Sequence, residues 1–274
     1  MARIQAISVG HALDVDSADF GAVQSVFDRA VNLTMRGDLW TVLAEEKTDL
    51  PFGIRVALSD FQALRLRRGD LVRVRSGFLG VGDHVVVDCR AATRWIPPCE
   101  EKPEPGLERR LAVVATAACG RSWCESAPMA HAVRSAVHAP TALREVLAKV
   151  VGRGPGATPS GDDVLVGVFA VLTSSHSGLA GARLAESLGQ AILPLLPTTT
   201  EISGHLLRQA ANGLFGRDVL ELVSALNGAS SSQQLTEKVR RVIQTGASSG
   251  ADTCEGLLAF APSYLAIRNE RASA

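Results

Sequence analysis

The densest chemistry in this sequence lies in GRGPGATPSGDDVLVGV, Gly152 to Val168. It sets five glycines, two prolines and the pair Asp162-Asp163 ahead of and into an apolar run. Glycines such as Gly154 and Gly156 let backbone amides approach a small ligand closely, and carboxylates beside hydroxyls hold protons or hard cations. Gly152-x-Gly154-x-x-Ala157 has the spacing of a dinucleotide fingerprint, but its context is wrong. REVLAKVVG before it has helical periodicity, Pro155 and Pro159 offer no amide donors, and no acidic residue follows in a strand about 20 residues on. No Gly-Lys-Ser/Thr follows to make a phosphate-binding loop of the Walker type. Neither a nucleotide nor a flavin is therefore expected.

Local physics accounts for part of the motif. Ser160-x-x-Asp163 has capping-box spacing, with Ser160 as N-cap and Asp163 at N3, and Thr158-Pro159 offers an alternative helix start. Acids there complement the helix dipole by about 0.5 kcal/mol each. A cap needs only one hydroxyl and one carboxylate, so the surplus points to a ligand. The segment also has an echo: SGDDVLVG (Ser160 to Gly167) and SGADTCEG (Ser249 to Gly256) share Ser-Gly-x-Asp-x-x-x-Gly. A helix-interior glycine costs about 1 kcal/mol relative to alanine, so Gly167 and Gly256 suggest close backbone approach. Two helices packed with their N-termini at one pocket and two unrelated caps both remain open.

A third segment, PTTTEISGHLLRQAANG, opens with Thr198-x-x-Glu201, another capping-box spacing. Glu201, His205, Arg208 and Asn212 form one polar stripe, ordinarily a solvated face. Thr199, Thr200 and Ser203 would present hydroxyls beside free helix-start amides, which bind anions. Three such termini would hold a phosphate or carboxylate, provided something balances their acids. Either Mg²⁺ bridges Asp162, Asp163 and Asp252, or Arg153 or Arg208 supplies the charge. The candidate catalytic residues, and metal ligands, are thus Asp162, Asp163 and Asp252. Gly154, Gly156, Thr158, Ser160, Gly161, Thr199, Thr200, Ser203, Arg208, Ser248, Ser249 and Gly250 are the candidate substrate-binding residues.

Other candidates are weaker. His11, His84, His131, His138 and His176 have no partner at metal-ligand spacing, and no Gly-x-Ser-x-Gly elbow accompanies Ser174-Ser175-His176-Ser177. The five cysteines are scattered, with no second pair to complete the Cys119-x4-Cys124 spacing, and suit free thiols in a reducing cytoplasm.

The elements that must position these residues fall into two halves. Residues 1–98 carry short β-branched runs such as RIQAISV, GIRVALS and DHVVVDCRA, with turns at Arg67 to Asp70 and Val81 to Asp83. This predicts an antiparallel β-barrel or sandwich-like domain. Residues 99–106 lie in the proline-rich stretch IPPCEEKPEPG, expected as a linker. Residues 107–274 repeat apolar positions at three and four across nine segments, from LERRLAVVATAACG to DTCEGLLAFAPSYLAIR, predicting a multi-helix bundle that carries the glycine-rich loop. The fold class expected is α+β, without the βαβ alternation of a doubly wound sheet. Lys and Arg number 28 and Asp and Glu 28, so no basic surplus draws the chain to nucleic acid. LRLRRGDLVRVR alternates charge with apolar residues, as solvated strand faces do. Neither a signal core nor an apolar run of about 18 residues is present, so a cytoplasmic protein without a membrane span is expected.

GPGATPSGDD, TTTEIS…LLRQAANG and TGASSGADTCEGLL together resemble the AllH-type family, long listed as a domain of unknown function. Val26-Phe27-x-Arg29-Ala30-Val31-Asn32 is similar to the family's N-terminal region. Ala157 stands where leucine is usual, and Ala251 where tryptophan often precedes the aspartate, which bears on pocket shape. The resemblance implies a subunit acting with other carbamoyltransferase subunits in anaerobic allantoin breakdown, a purine catabolic route. It would help exchange a carbamoyl group between oxalurate and phosphate, giving oxamate and carbamoyl phosphate. Such transfer needs charge stabilisation more than a protein nucleophile, and helix-start amides, Thr158, Ser160, Ser249 and Arg208 are suitable donors. Two alternatives stand beside it. One is a Mg²⁺-dependent hydrolase using Asp162, Asp163 and Asp252, by analogy with ADP-ribosylglycohydrolases; the other is a non-catalytic scaffold subunit.

Overall fold

The structure, a computed structural model, describes residues 2–261. PSYLAIR, the end of the last expected helical segment, lies outside the described residues. The chain divides into two units after Pro98, and its class is α+β.

The N-terminal unit is a barrel. Its strands are β1 (Ala2–Gly10), β2 (Asp19–Phe27), β3 (Ala30–Met35), β4 (Asp38–Leu43), β5 (Gly53–Val56), β6 (Leu71–Arg75), β7 (Phe78–Val81), β8 (Val85–Asp88) and β9 (Thr93–Trp95). Eight strands close in the order β1-β5-β4-β3-β2-β6-β7-β8 and back to β1, while β9 pairs with the far end of β1. Closure removes the free sheet edges that otherwise invite aggregation. Alternation sets the faces: in β6, Val72 and Val74 are buried while Leu71, Arg73 and Arg75 are exposed, so this part of the basic run is a solvated strand face. The β3–β4 and β6–β7 hairpins turn on Arg36-Gly37 and Ser76-Gly77, all four residues at positive φ, as a two-residue type I′ turn requires.

The barrel is mixed rather than purely antiparallel. β1 runs parallel to β8 and β9, and β4 parallel to β5. A parallel pair needs a return crossover, here the irregular stretch 44–52, and buried Asp49 pins it. The Asp49 carboxylate accepts a hydrogen bond from Ser8 Oγ on β1 and lies 3.6 Å from Arg55 Nε on β5. That anchor is a tertiary pairing and leaves no local signature in the sequence.

The second unit is helical. Among the described residues its helices are α1 (Leu107–Ala118), α2 (Ser126–Ala136), α3 (Pro140–Val150), α4 (Ser160–Leu172), α5 (Gly178–Ile192), α6 (Glu201–Ala211), α7 (Arg217–Asn227), α8 (Ser232–Ile243) and α9 (Ser249–Phe260). Every residue of α4 except Val166 is buried, which is why its sequence is apolar nearly all round. α9 is its principal neighbour and buries Cys254, Leu257 and Phe260. Around them lie amphipathic helices such as α8, which buries Leu235, Val239 and Val242 and starts with a true capping box, Ser231 with Gln234. No single helix among the described residues is long and apolar enough to cross a membrane. The proline-rich stretch 99–106 lies against this unit. Ser174 Oγ and Ser175 Oγ donate to Glu100 Oε2 at 2.9 and 2.6 Å, Glu101 N donates to Ser224 Oγ, and Glu104 N donates to the Asn227 carbonyl.

Candidate functional site

The two echoing motifs meet. A Cβ on Gly167 would stand 1.9 Å from the Thr253 carbonyl oxygen, and one on Gly256 would stand 1.9 Å from the Val164 carbonyl oxygen. Aligning SGDDVLVG with SGADTCEG pairs Val164 with Thr253, so the contact is reciprocal, as about a local two-fold axis. The first glycine of each motif repeats the relation. A Cβ on Gly161 would fall 2.0 Å from the Val150 carbonyl oxygen of α3, and one on Gly250 would fall 1.8 Å from the Val242 carbonyl oxygen of α8. Gly161 and Gly250 thus allow each helix start to press on the last turn of the helix before it.

The caps differ from the sequence expectation. α4 begins at Ser160 with Pro159 at the N-cap, so Ser160 is the first helical residue and caps nothing. Ser248 is the N-cap of α9 and makes no side-chain cap. The Thr198–Glu201 box is replaced by Thr200, whose Oγ1 accepts from Ser203 N at 3.1 Å and donates to the Ala157 carbonyl at 2.6 Å. Proline preorganises the start of α4 without a hydroxyl, which frees Ser160 and both acids for other contacts.

Asp162 ties two segments together. Its Oδ1 accepts from Gly152 N at 2.9 Å, and its Oδ2 accepts from Ser203 Oγ at 2.7 Å and from Thr199 Oγ1. The carboxylate is buried and fully engaged between the glycine-rich loop and the start of α6. Such a group positions its neighbours.

Asp163 and Asp252 behave differently. Asp252 is fully buried; its Oδ1 accepts from Trp123 N at 2.8 Å and from Ser126 Oγ at 2.7 Å, while its Oδ2 has no hydrogen-bond partner among the described residues. Asp163 Oδ2 is likewise buried without a partner among the described residues, as is Ser160 Oγ. Burial pushes the Asp163 carboxyl up to about 7; the Ser249 and Thr158 hydroxyls pull against that rise, and the charges of Asp252 and Asp162 add to it. Thr158 Oγ1 and Ser249 Oγ lie 2.8 Å apart, bridging the loop to α9, and both residues are half-buried. They are the outermost members of the cluster. Natural interiors seldom leave polar atoms unpaired, and here such atoms fall in the first turns of α4 and α9.

Other expected members stand apart. Arg208 lies two turns along α6, about 10 Å from its start at 1.5 Å per residue. With Asn212, Gln190 and Thr173 it lines a separate cleft of about 460 Å³. Arg153 Nε is 3.2 Å from Glu125 Oε2, in a largely exposed pair, and its guanidinium lies 5.9 Å from the Trp123 ring centroid. Glu125 and the Trp123 ring thus engage the Arg153 guanidinium, and Arg208 lines its own cleft. Among the described residues no three His, Cys, Asp or Glu side chains are grouped so that they could hold a metal ion. Gly154 and Gly156 sit at φ +116° and +94°, shaping the loop. On α6, Glu201, Arg208 and Asn212 are exposed but His205 is buried, so the polar stripe is not a uniform solvated face.

Sequence reasoning missed Ser126 and the Trp123 amide. Both come from the segment leading into α2, more than 120 residues from Asp252, and no local pattern marks them.

Residues 150–261 match the family described as oxamate carbamoyltransferase subunit AllH, and residues 5–94 match the AllH family N-terminal domain. The two matches together cover most of the chain. No solved structure matches it.

Proposed function

Because this chain belongs to the AllH family, we propose that it is a subunit of a carbamoyltransferase and that the meeting point of α4, α6 and α9 handles the substrate. The reaction is transfer of a carbamoyl group between oxalurate and phosphate, in company with the other subunits of the enzyme. One observation supports placing substrate here: among the described residues, Ser160 Oγ and Asp163 Oδ2 in the first turn of α4 and Asp252 Oδ2 in the first turn of α9 are buried without hydrogen-bond partners. In phosphorolysis, a phosphate oxygen bonds to the ureido carbon, the carbon–nitrogen bond breaks, and the departing nitrogen takes a proton. Asp163, titrating at about 7, is the group that can hold that proton at neutral pH and release it. Asp162 is a positioning residue that fixes Gly152, Thr199 and Ser203. The apolar packing of α4 against α9 keeps bulk water from the cluster.

The test is reconstitution with the proteins encoded beside this chain, measuring carbamoyl phosphate formed from oxalurate and phosphate. Asp163→Asn is expected to lower kcat by about 100-fold or more, the usual scale of a lost proton donor, while the complex elutes intact. Absence of turnover with the complete set of partners sinks the proposal. Loss of the complex itself in Asp163→Asn supports a scaffold role instead.

A further inference from the structure

We infer that the unpartnered oxygens of Asp163, Asp252 and Ser160 recognise the primary carboxamide end of the ligand rather than its anionic end. The inference deepens the carbamoyltransferase reading and rests on it. Anion recognition would need a positive counter-charge, yet Arg153 is paired with Glu125 and Arg208 lines a separate cleft. The free atoms themselves are two carboxyl oxygens and one hydroxyl, each on a residue nine-tenths or more buried. The Asp252 carboxylate repels a carboxylate or phosphate placed against it, and Asp163 adds to that repulsion whenever it is ionised. A primary amide fits: its amino group offers two donors to carboxylate oxygens, and its carbonyl accepts from a hydroxyl or a protonated carboxyl.

Direction is fixed at Asp252. Trp123 N–H and Ser126 O–H both donate to Oδ1, so that position must be an acceptor and Oδ2 is the atom left to meet a ligand. Ser160 Oγ can donate or accept. Asp163, beneath the half-buried Thr158–Ser249 pair, can carry a proton to give the amide carbonyl its donor. Donor and acceptor positions thus match an amide and mismatch a dianion.

Oxamate and oxalate separate the two readings, because they share a carboxylate and a shape and differ only in an amino group against a charged oxygen. Titration calorimetry on the full chain and on the reconstituted complex is expected to show oxamate binding at least tenfold tighter than oxalate. In Asp252→Asn, Trp123 and Ser126 still require the oxygen at Oδ1, so the new amide nitrogen falls at the Oδ2 position and faces the ligand's own amino group. Preference is then expected to swing towards oxalate by at least tenfold. Ser160→Ala removes an unpaired hydroxyl and no internal hydrogen bond; it is expected to weaken oxamate several-fold at unchanged stability, and it stands in should Asp252→Asn fail to fold. The inference is overturned if oxalate binds the wild type as well as oxamate does, if neither binds, or if magnesium chloride alone binds there and excludes oxamate. Turnover with equal competition by oxalate sinks this inference alone. Oxamate preference without turnover sinks the carbamoyltransferase reading alone.

Discussion

Replacing Gly256 with alanine tests the helix crossing on which the cluster depends. The added Cβ would lie 1.9 Å from the Val164 carbonyl oxygen, where real Cβ atoms come no nearer than 3.0 Å, a shortfall of 1.1 Å. The obstacle is backbone in the middle of a buried helix, so no side chain can swing away. Overpacking of this kind costs about 1–3 kcal/mol, and two rigid backbones place it at the upper end. Alanine recovers about 1 kcal/mol of helix propensity relative to glycine. The net expectation is a loss of about 2 kcal/mol, or roughly 4–8 °C in Tm for a unit of this size. Urea unfolding of the full chain, followed by far-UV circular dichroism, measures it. Because the contact is reciprocal, Gly167→Ala should cost a similar amount and the double variant less than the sum, since helices already parted admit the second methyl more easily. An alanine variant stabilised by about 1 kcal/mol, as propensity alone predicts, would refute the close-crossing argument.

Three further outcomes follow from the site. Asp163 has its folded carboxyl raised from 3.8 to about 7, so the folded state binds the proton more tightly and stability falls as pH rises through that window, then levels off. The full effect is roughly 4 kcal/mol from 1.36 kcal/mol per pH unit, and Asp163→Asn should flatten it; equal urea midpoints for wild type at pH 5 and pH 8 would contradict the burial argument. Asp162→Ala leaves the Gly152 amide and the Thr199 and Ser203 hydroxyls without their acceptor, at about 3 kcal/mol or more, with faster hydrogen exchange in residues 152–158 and at the start of α6. Native Ellman titration should find fast thiols at exposed Cys99, Cys119 and Cys124 only, because burial pushes Cys89 and Cys254 up to about 12. Modification of Cys254 before unfolding would count against the packing of α9.

Periodicity carried much of the architecture. Alternation in LVRVR and the three-and-four spacing of α8 each bury a face in the manner their sequence requires, because local backbone geometry fixes where successive side chains point. The Ser-Gly-x-Asp-x-x-x-Gly echo was also legible, and its glycines announced a close approach. What each acid does was not. Asp162 and Asp163 are neighbours on one helix turn, yet one is held by Gly152, Thr199 and Ser203 while the other keeps a buried oxygen with no partner among the described residues. Only the tertiary fold brings Trp123 and Ser126 to Asp252 and leaves Arg208 with a different cleft. Local sequence sets a helix and its apolar face; burial, and the choice of partner for each polar atom, is set by chain segments that can lie more than a hundred residues away.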